Sequence, residues 1–388
     1  MIDLRLDSDP HHASLRSTLR SYLDANAPGP VVNELDREGT YPEAIIAGLA
    51  DLGIFGLSIP AEYGGVDADP VSVAIACEEL QRAGLSLLSA VAPTITYCAP
   101  AILRSGSDEL RRDLLPRIAT GDVRMAIGLT EPDAGSDLSA VAMTARPVDG
   151  GFVVNGTKVW CTGAARADYV VALARTDPDA TGYKGLSVLL VPTKTTPDRV
   201  TIRKIPKLAG GATASCEVFV DDLFVEEHLL IGQLHHGRDV IFAALDSERL
   251  YVAAQCVGVA QGAYDAALAY AQERRQFGRP IIEHQAVAHK LADMAARVVT
   301  ARLLTYTLAS KVASGEPYGL EAALAKVSAS EAAAAVVDDG MAILGAYSYS
   351  TEYPMERLYR EIKLLEIAGG TNQILRNVIA KRLPGAGI

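Results

Sequence analysis

The chain has 388 residues, a net charge of −11 at neutral pH, and 49% hydrophobic against 21% charged residues. At roughly 100–200 residues per domain this is two or three domains, with enough core to fold without disulfides or a structural metal. The acidic balance argues against nucleic acid as main partner, because neutralising phosphates needs clustered Lys and Arg, and no run of 18 apolar residues offers a membrane span.

Residues 1–122 read as an α-helical domain. The start, MIDLRLDSDPHH, lacks the basic-then-apolar pattern of a signal peptide. Leu15, Leu19, Tyr22 and Leu23 then share one face at helical spacing. Pro42 opens a second helix through Ile45, Ile46, Leu49 and Leu52, with Gly53 and Gly56 as stop signals, and Pro70 opens another through Val73, Ile75 and Leu80. Between them, IPAEYGG at 59–65 is a loop. Residues 123–235 change character: β-branched runs at 151–160, 168–175, 185–192 and 216–222 alternate with turns. They predict a compact β domain of sandwich or barrel type. Asn155-Gly156 is the strongest short-range hairpin signal in it. Residues 236–388 are helical again. The stretch 238–273 has no proline and two glycines, while 283–313 and 319–344 are long, Ala-rich and amphipathic. Such helices in series predict an antiparallel bundle.

Five stretches could carry chemistry. In MAIGLTEPDAGSD (125–137), Thr130, Gly135 and Ser136 make a turn that can offer N–H and hydroxyl donors to a ligand, or is an ordinary tight loop. Trp160-Cys161-Thr162 sets the one tryptophan beside a hydroxyl; it can wall a flat heteroaromatic group or fill core. In ALDSERL (244–250), Ala244, Leu245, Tyr251 and Val252 surround Glu248 at i±3 and i±4. Burial in that apolar stripe raises the carboxyl pKa and suits it to general-base work, unless it is satisfied by Arg249 or another cation. Asp246 and Arg249 pair with each other or reach a charged ligand tail. The arginines of ERRQFGRP (273–280) cap a helix C-terminus or hold a pyrophosphate. Gly369-Gly370-Thr371 opens the last helix, as a backbone cradle for phosphate or a thioester oxygen or as a plain Thr371 N-cap.

The five cysteines (Cys77, Cys98, Cys161, Cys216 and Cys256) are scattered without a CxxC, which reads as a reduced, cytoplasmic chain. His11-His12 and His235-His236 are adjacent pairs, not the i, i+4 pairs of a metal helix, so no metal is expected. No GxSxG, Walker loop or GxGxxG is present.

In this order LTEPDAGSD, VNGTKVWCTGA, Arg274 to Gly278, EHQA (283–286) and GGTNQILR resemble the acyl-CoA dehydrogenase family of flavoproteins, over nearly the whole chain. The resemblance implies an α+β multidomain fold: an N-terminal α-helical domain, a middle β domain and a C-terminal four-helix bundle. It implies FAD between the β domain and the bundle, across a dimer interface within a homotetramer. Carried over by position, Leu129, Thr130 and Ser136 contact the flavin region, and Trp160 and Thr162 flank the isoalloxazine. Arg274, Phe277 and Gln285 reach the FAD of a neighbouring subunit, while Thr371 and Gln373 bind the FAD phosphate and adenosine side. Ser136, Asp246, Arg249 and Ala368 bind the substrate.

Most members of the family place the catalytic Glu directly before the Gly-Thr of the last motif, where this chain has Gly369. A minority subgroup, including the isovaleryl-CoA and long-chain acyl-CoA enzymes, places it in a D-x-E-R context on the long bundle helix, as in Asp246-Ser247-Glu248-Arg249. The implied reaction converts acyl-CoA to trans-2-enoyl-CoA in fatty acid or branched-chain metabolism, with Glu248 as base and the Gly369 N–H polarising the thioester. An electron-transfer flavoprotein is the implied acceptor. One departure stands out: Ala342 to Ser348 lacks the Gln and two glycines of the family's FAD contact, which raises a hetero-oligomer with a partner supplying them. The competing readings are an acyl-carrier-protein thioester dehydrogenase of secondary metabolism, a flavin-dependent oxidase or monooxygenase on the same fold, and a non-catalytic subunit or binding protein.

Overall fold

The computed structural model describes residues 9–195 and 197–383. Most of the N-terminal stretch read for a signal peptide, residues 1–8, lies outside the described residues. Seven helices come first: α1 (Pro10–Asn26), α2 (Gly29–Glu38), α3 (Glu43–Asp51), α4 (Pro70–Ala83), α5 (Leu85–Ala92), α6 (Ala99–Ser105) and α7 (Asp108–Ala119). Their starts follow local chemistry. Asp9, Asp69 and Ser107 each accept an N–H of the first turn, and Pro10 and Pro70 occupy a first helical position where no N–H is needed. Between α5 and α6 the chain makes a π-helical turn, Pro93–Cys98. By hydropathy alone Leu85–Ser105 is long and apolar enough to cross a membrane, a stretch passed over in the sequence because Ser, Thr and Pro interrupt it; here most of it is buried inside the protein.

Eight strands follow: β1 (Met125–Gly128), β2 (Thr144–Val148), β3 (Gly151–Thr162), β4 (Tyr169–Arg175), β5 (Leu186–Pro192), β6 (Val200–Lys204), β7 (Ser215–Glu226) and β8 (Leu230–Ile231). They form one sheet in the order β6-β7-β3-β2-β4-β5-β8, with β1 paired in parallel to β4. The hairpin expected at Asn155-Gly156 is not there. β3 runs straight through these residues, and the β2–β3 turn lies at Asp149-Gly150, the competing Asp-Gly signal. At Gly156 the β3–β7 register shifts by a bulge, with φ at +144°. The reason is tertiary. Asn155 exchanges hydrogen bonds with Asp222 across the bulge (2.9 and 2.8 Å), so its side chain serves the ladder rather than a turn.

The remaining helices are α8 (Gly237–Glu273), α9 (Gln285–Ala313), α10 (Gly319–Leu344), α11 (Met355–Leu365) and α12 (Asn372–Ala380), with a short hairpin of β9 (Arg275–Gln276) and β10 (Arg279–Pro280) after α8. At 1.5 Å per residue α8 is about 55 Å long. Residues Leu250–Ala260 of α8 are buried all round, because α4, α9, α10 and α11 pack on every side. The buried apolar residues divide into two main cores. One belongs to the helices. The other fills the β sheet, α6, α7 and the first turns of α8. On α8, Val240, Ile241 and Ala244 belong to the sheet core and Leu250, Tyr251 and Val252 to the helical core. Glu248 falls at the seam between them. The π turn crosses the same seam, with Ile95 in the helical core and Tyr97 and Cys98 in the sheet core.

Candidate active site

Glu248 makes no hydrogen bond or ion pair among the described residues, although Arg249 is its neighbour in sequence. Arg249 turns instead to Asp246, with Nη1 2.5 Å from Oδ1, as i, i+3 spacing on a helix permits. Its Nε donates to the Gly369 carbonyl at 3.4 Å, so the pair ties α8 to the loop after α11. Glu248 is half-buried as a residue, and protein encloses its carboxyl closely enough that desolvation pushes its pKa up to about 7, against the pull of Arg249 and Lys326.

The loop itself is held by glycines in left-handed conformations, φ +66° at Gly369 and +91° at Gly370. A Cβ at Gly369 would lie 3.4 Å from Val252, one helical turn beyond Glu248 on α8. Position 369 and the Glu248 carboxylate therefore approach one region from two elements. Thr371 caps α12, its hydroxyl accepting the Ile374 N–H at 3.2 Å. The N–H groups of Gly369, Gly370 and Thr371 find no acceptor among the described residues, which leaves three adjacent donors for a ligand oxygen.

Lys326 of α10 was not singled out in the sequence. It is fully buried and donates to the Gly370 carbonyl (3.1 Å) and Asn372 Oδ1 (2.9 Å). Desolvation pushes its pKa down to about 8, opposed by Cys256, Glu366 and Glu248. A buried pair in the β domain was also missed. Lys158 Nζ lies 2.7 Å from Glu131 Oε1 and donates to the Leu129 carbonyl at 3.2 Å, while Glu131 accepts the N–H groups of Ala142 and Met143. This pair pins the Leu129-Thr130 turn to β3. A signal existed: Lys158 shares the alternation of buried Phe152 and Val154, and a lysine on a buried face calls for a buried anion.

At the end of β3, Trp160 has φ +60° and is 56% exposed rather than core, while the Thr162 hydroxyl lies 2.9 Å from that of Ser215. Leu129 is buried, Thr130 and Ala368 are half-buried, and Ser136, Gln285 and Gln373 are exposed. Phe277 is 94% exposed at the tip of the β9–β10 hairpin. Arg274 at the hairpin's base stacks on Tyr347 at 5.7 Å, so the Ala342–Ser348 stretch holds this arginine through an aromatic ring. The structure thus brings together Asp246, Glu248, Arg249 and Gly369, and leaves Arg274, Phe277 and Gln285 as a second, exposed group. A large exposed aromatic, unpaired loop amides and a desolvated, unpaired carboxylate at a seam between two cores fit a flat cofactor and an ester-like ligand.

Comparison with known proteins converges on one family. The profiles for the N-terminal, middle and C-terminal domains of acyl-CoA dehydrogenase match residues 9–122, 126–223 and 235–383. The 3-(aryl)acrylate reductase of Clostridium sporogenes is 35% identical over 96% of this chain and 98% of that protein. The glutaryl-CoA dehydrogenase of Desulfococcus multivorans is 36% identical over 90% and 91%. The structure of butyryl-CoA dehydrogenase from Megasphaera elsdenii superposes with a TM-score of 0.93 at 30% identity, covering 97% of this chain and 99% of that one. The prolyl acyl carrier protein oxidase AnaB gives 0.89 at 27% identity, covering 96% and 98%.

Proposed function

Because the chain belongs to the acyl-CoA dehydrogenase family of FAD-dependent oxidoreductases acting on acyl thioesters, we propose that it converts acyl-CoA to trans-2-enoyl-CoA with Glu248 as the base. The observation that carries this reading is a carboxylate without a partner, desolvated to a pKa of about 7 and set one helical turn from Val252, which faces Gly369. A base poised near the working pH has the right strength to take an α-proton that thioester polarisation has acidified.

The free N–H of Gly369 is the donor for the thioester carbonyl, where negative charge grows as the proton leaves. Arg249, anchored by Asp246, fixes the Gly369 carbonyl and, through their shared peptide plane, the Gly370 N–H beside that donor. Asp246, Ala368 and Ser136 line the path of the thioester carrier. Trp160, Thr162, Leu129, Thr130, Thr371 and Gln373 hold the FAD, with Arg274, Phe277 and Gln285 reaching that of a neighbouring subunit. Bound FAD supplies the acceptor for the hydride that leaves the β-carbon. An electron-transfer flavoprotein would be the partner that accepts the electrons, and the cytoplasm, where the five free and buried thiols would stay reduced, the compartment.

Anaerobic titration with acyl-CoA tests this. Wild type loses its flavin absorbance, and Glu248→Gln keeps FAD but does not bleach. A variant that bleaches at the wild-type rate overturns the assignment. Similarity to the carrier-protein oxidase favours a second reading, a carrier-protein thioester as substrate. Faster bleaching by acyl-carrier-protein than by acyl-CoA selects it, and rapid reoxidation in air marks an oxidase.

A further inference from the structure

The π turn between α5 and α6 is pinned on all sides. Ser58 donates to the Ile95 carbonyl at 3.0 Å, Thr96 donates to the Ala92 carbonyl at 2.8 Å, and the Thr94 hydroxyl accepts the Met125 N–H at 3.1 Å. One polar group on it is left over. Tyr97 is 1% exposed, and its hydroxyl has no hydrogen-bond partner among the described residues. A buried, unpaired hydroxyl carries a desolvation penalty that a hydrogen-bond partner removes. π turns of this kind recur at functional sites, where an extra residue re-aims a side chain. This one packs against α8 at the seam that holds Glu248.

We propose that the Tyr97 hydroxyl is a specificity-determining contact, donating a hydrogen bond to an uncharged oxygen or nitrogen carried by the acyl group away from its reacting α- and β-carbons. The proposal rests on the dehydrogenase reading of Glu248 and names the class of acyl chain: neutral and polar, neither plain hydrocarbon nor dicarboxylate. Burial, then the charge of Glu248, then Cys98 all push the phenol pKa up, and no cation is among the groups that act on it. A carboxylate on the acyl chain would bring a second anion beside Glu248 without a counter-ion. A hydrocarbon would leave the hydroxyl unpaired in the complex. The polar groups of the turn are already engaged with Ser58, Ala92 and Met125, so none of these contacts pairs the hydroxyl.

The experiment compares wild-type and Tyr97→Phe holoenzymes on heptanoyl-CoA, on analogues with an ether oxygen at chain position 5 or 6, and on glutaryl-CoA. In wild type at least one ether matches or exceeds heptanoyl-CoA in kcat/KM, and glutaryl-CoA falls below both. Tyr97→Phe lowers the ether-to-heptanoyl ratio about tenfold, the scale of one neutral hydrogen bond lost. Its substrate-free form melts no lower than wild type, because it loses only an unpaired group. An unmoved ratio, a wild type that prefers heptanoyl-CoA or glutaryl-CoA, or a lower melting temperature for Tyr97→Phe each overturns the role of the hydroxyl while the dehydrogenase reading stands. Failure of every thioester to bleach the flavin overturns both.

Discussion

With Glu248 as the proposed base, catalysis and stability pull in opposite directions at one residue. Its carboxyl rises from 4.5 to about 7 on folding because desolvation outweighs Arg249 and Lys326. Only the ionised form is a base, so kcat/KM climbs about tenfold per pH unit below 7 and levels above it. The folded chain binds this proton more tightly than the unfolded chain. The group's stabilising share is therefore whole below pH 4.5 and lost as pH rises through 7, up to about 3 kcal/mol. Urea melts of Glu248→Gln show the gain over wild type: small at pH 5 and at its largest at pH 8, with an equal gain at both pH values ruling out a desolvated carboxylate. Lys326 works from the other side. Lys326→Met strips the Gly370 carbonyl and Asn372 of a donor and removes a cation that favours the ionised base. The acid limb of kcat/KM then moves to higher pH and the melting temperature falls; a lower melting temperature with an unmoved limb makes the lysine structural only. Glu248 was legible because its neighbours at i±3 and i±4 are apolar. Lys326 was not, because its partners Gly370 and Asn372 lie on a distant loop and no local spacing announces them.

Among the elements, α8 does most to build the site, since its first turns complete the sheet core and its middle fills the helical core. Its contact with α4 depends on Gly258. A Cβ there would sit 2.3 Å from the Glu78 carbonyl oxygen and 3.0 Å from the Arg82 nitrogen, both backbone atoms that cannot swing aside. Glu78 also anchors a buried cluster in which Arg302 Nη2 lies 2.6 Å and Arg16 Nη1 3.1 Å from its Oε1. Desolvation raises its pKa, but the two arginines outweigh that and hold the carboxyl well below its usual range. Gly258→Ala forces the helices apart and costs about 1–3 kcal/mol in a denaturant melt. Gly262→Ala, whose nearest neighbour is the Arg82 carbonyl at 3.3 Å, costs less, because better helix propensity offsets the tighter fit. Equal losses at the two sites would refute the close-approach account. The same competition between local and tertiary preference explains the misplaced hairpin. Asn155-Gly156 has turn chemistry, but pairing with β7 turns it into a bulge, and the equally suitable Asp149-Gly150 makes the turn. The π turn was invisible in sequence, since its residues are apolar at no period that separates it from the helices on either side.

For the whole molecule, the helical, β, helical order was legible because hydrophobic period changes along the chain. The sheet order and the seam between the two cores were not, because they depend on pairings between strands and helices far apart in sequence. One feature of the single chain points beyond it. Phe277 is the most exposed large apolar side chain among the described residues, and it holds φ at +53°, a conformation that costs a residue other than glycine about 1–3 kcal/mol. The hairpin under it is only two residues a side, with its first strand exposed, so the chain's own packing does little to enforce this strain. A second copy of the chain is the expected cover, as the family's homotetramers suggest, with Phe277, Arg274 and Gln285 meeting the FAD bound by that copy. Light scattering on the holoenzyme then gives four times the 41.0 kDa chain mass. Phe277→Ser lowers both the assembled fraction and the FAD retained after gel filtration, because the same side chain serves both. A holoenzyme that runs as a monomer with full FAD occupancy would remove the second copy from the account. The strained phenylalanine would then have to be explained by a different partner chain, as the missing Gln and glycines of the 342–348 stretch first raised.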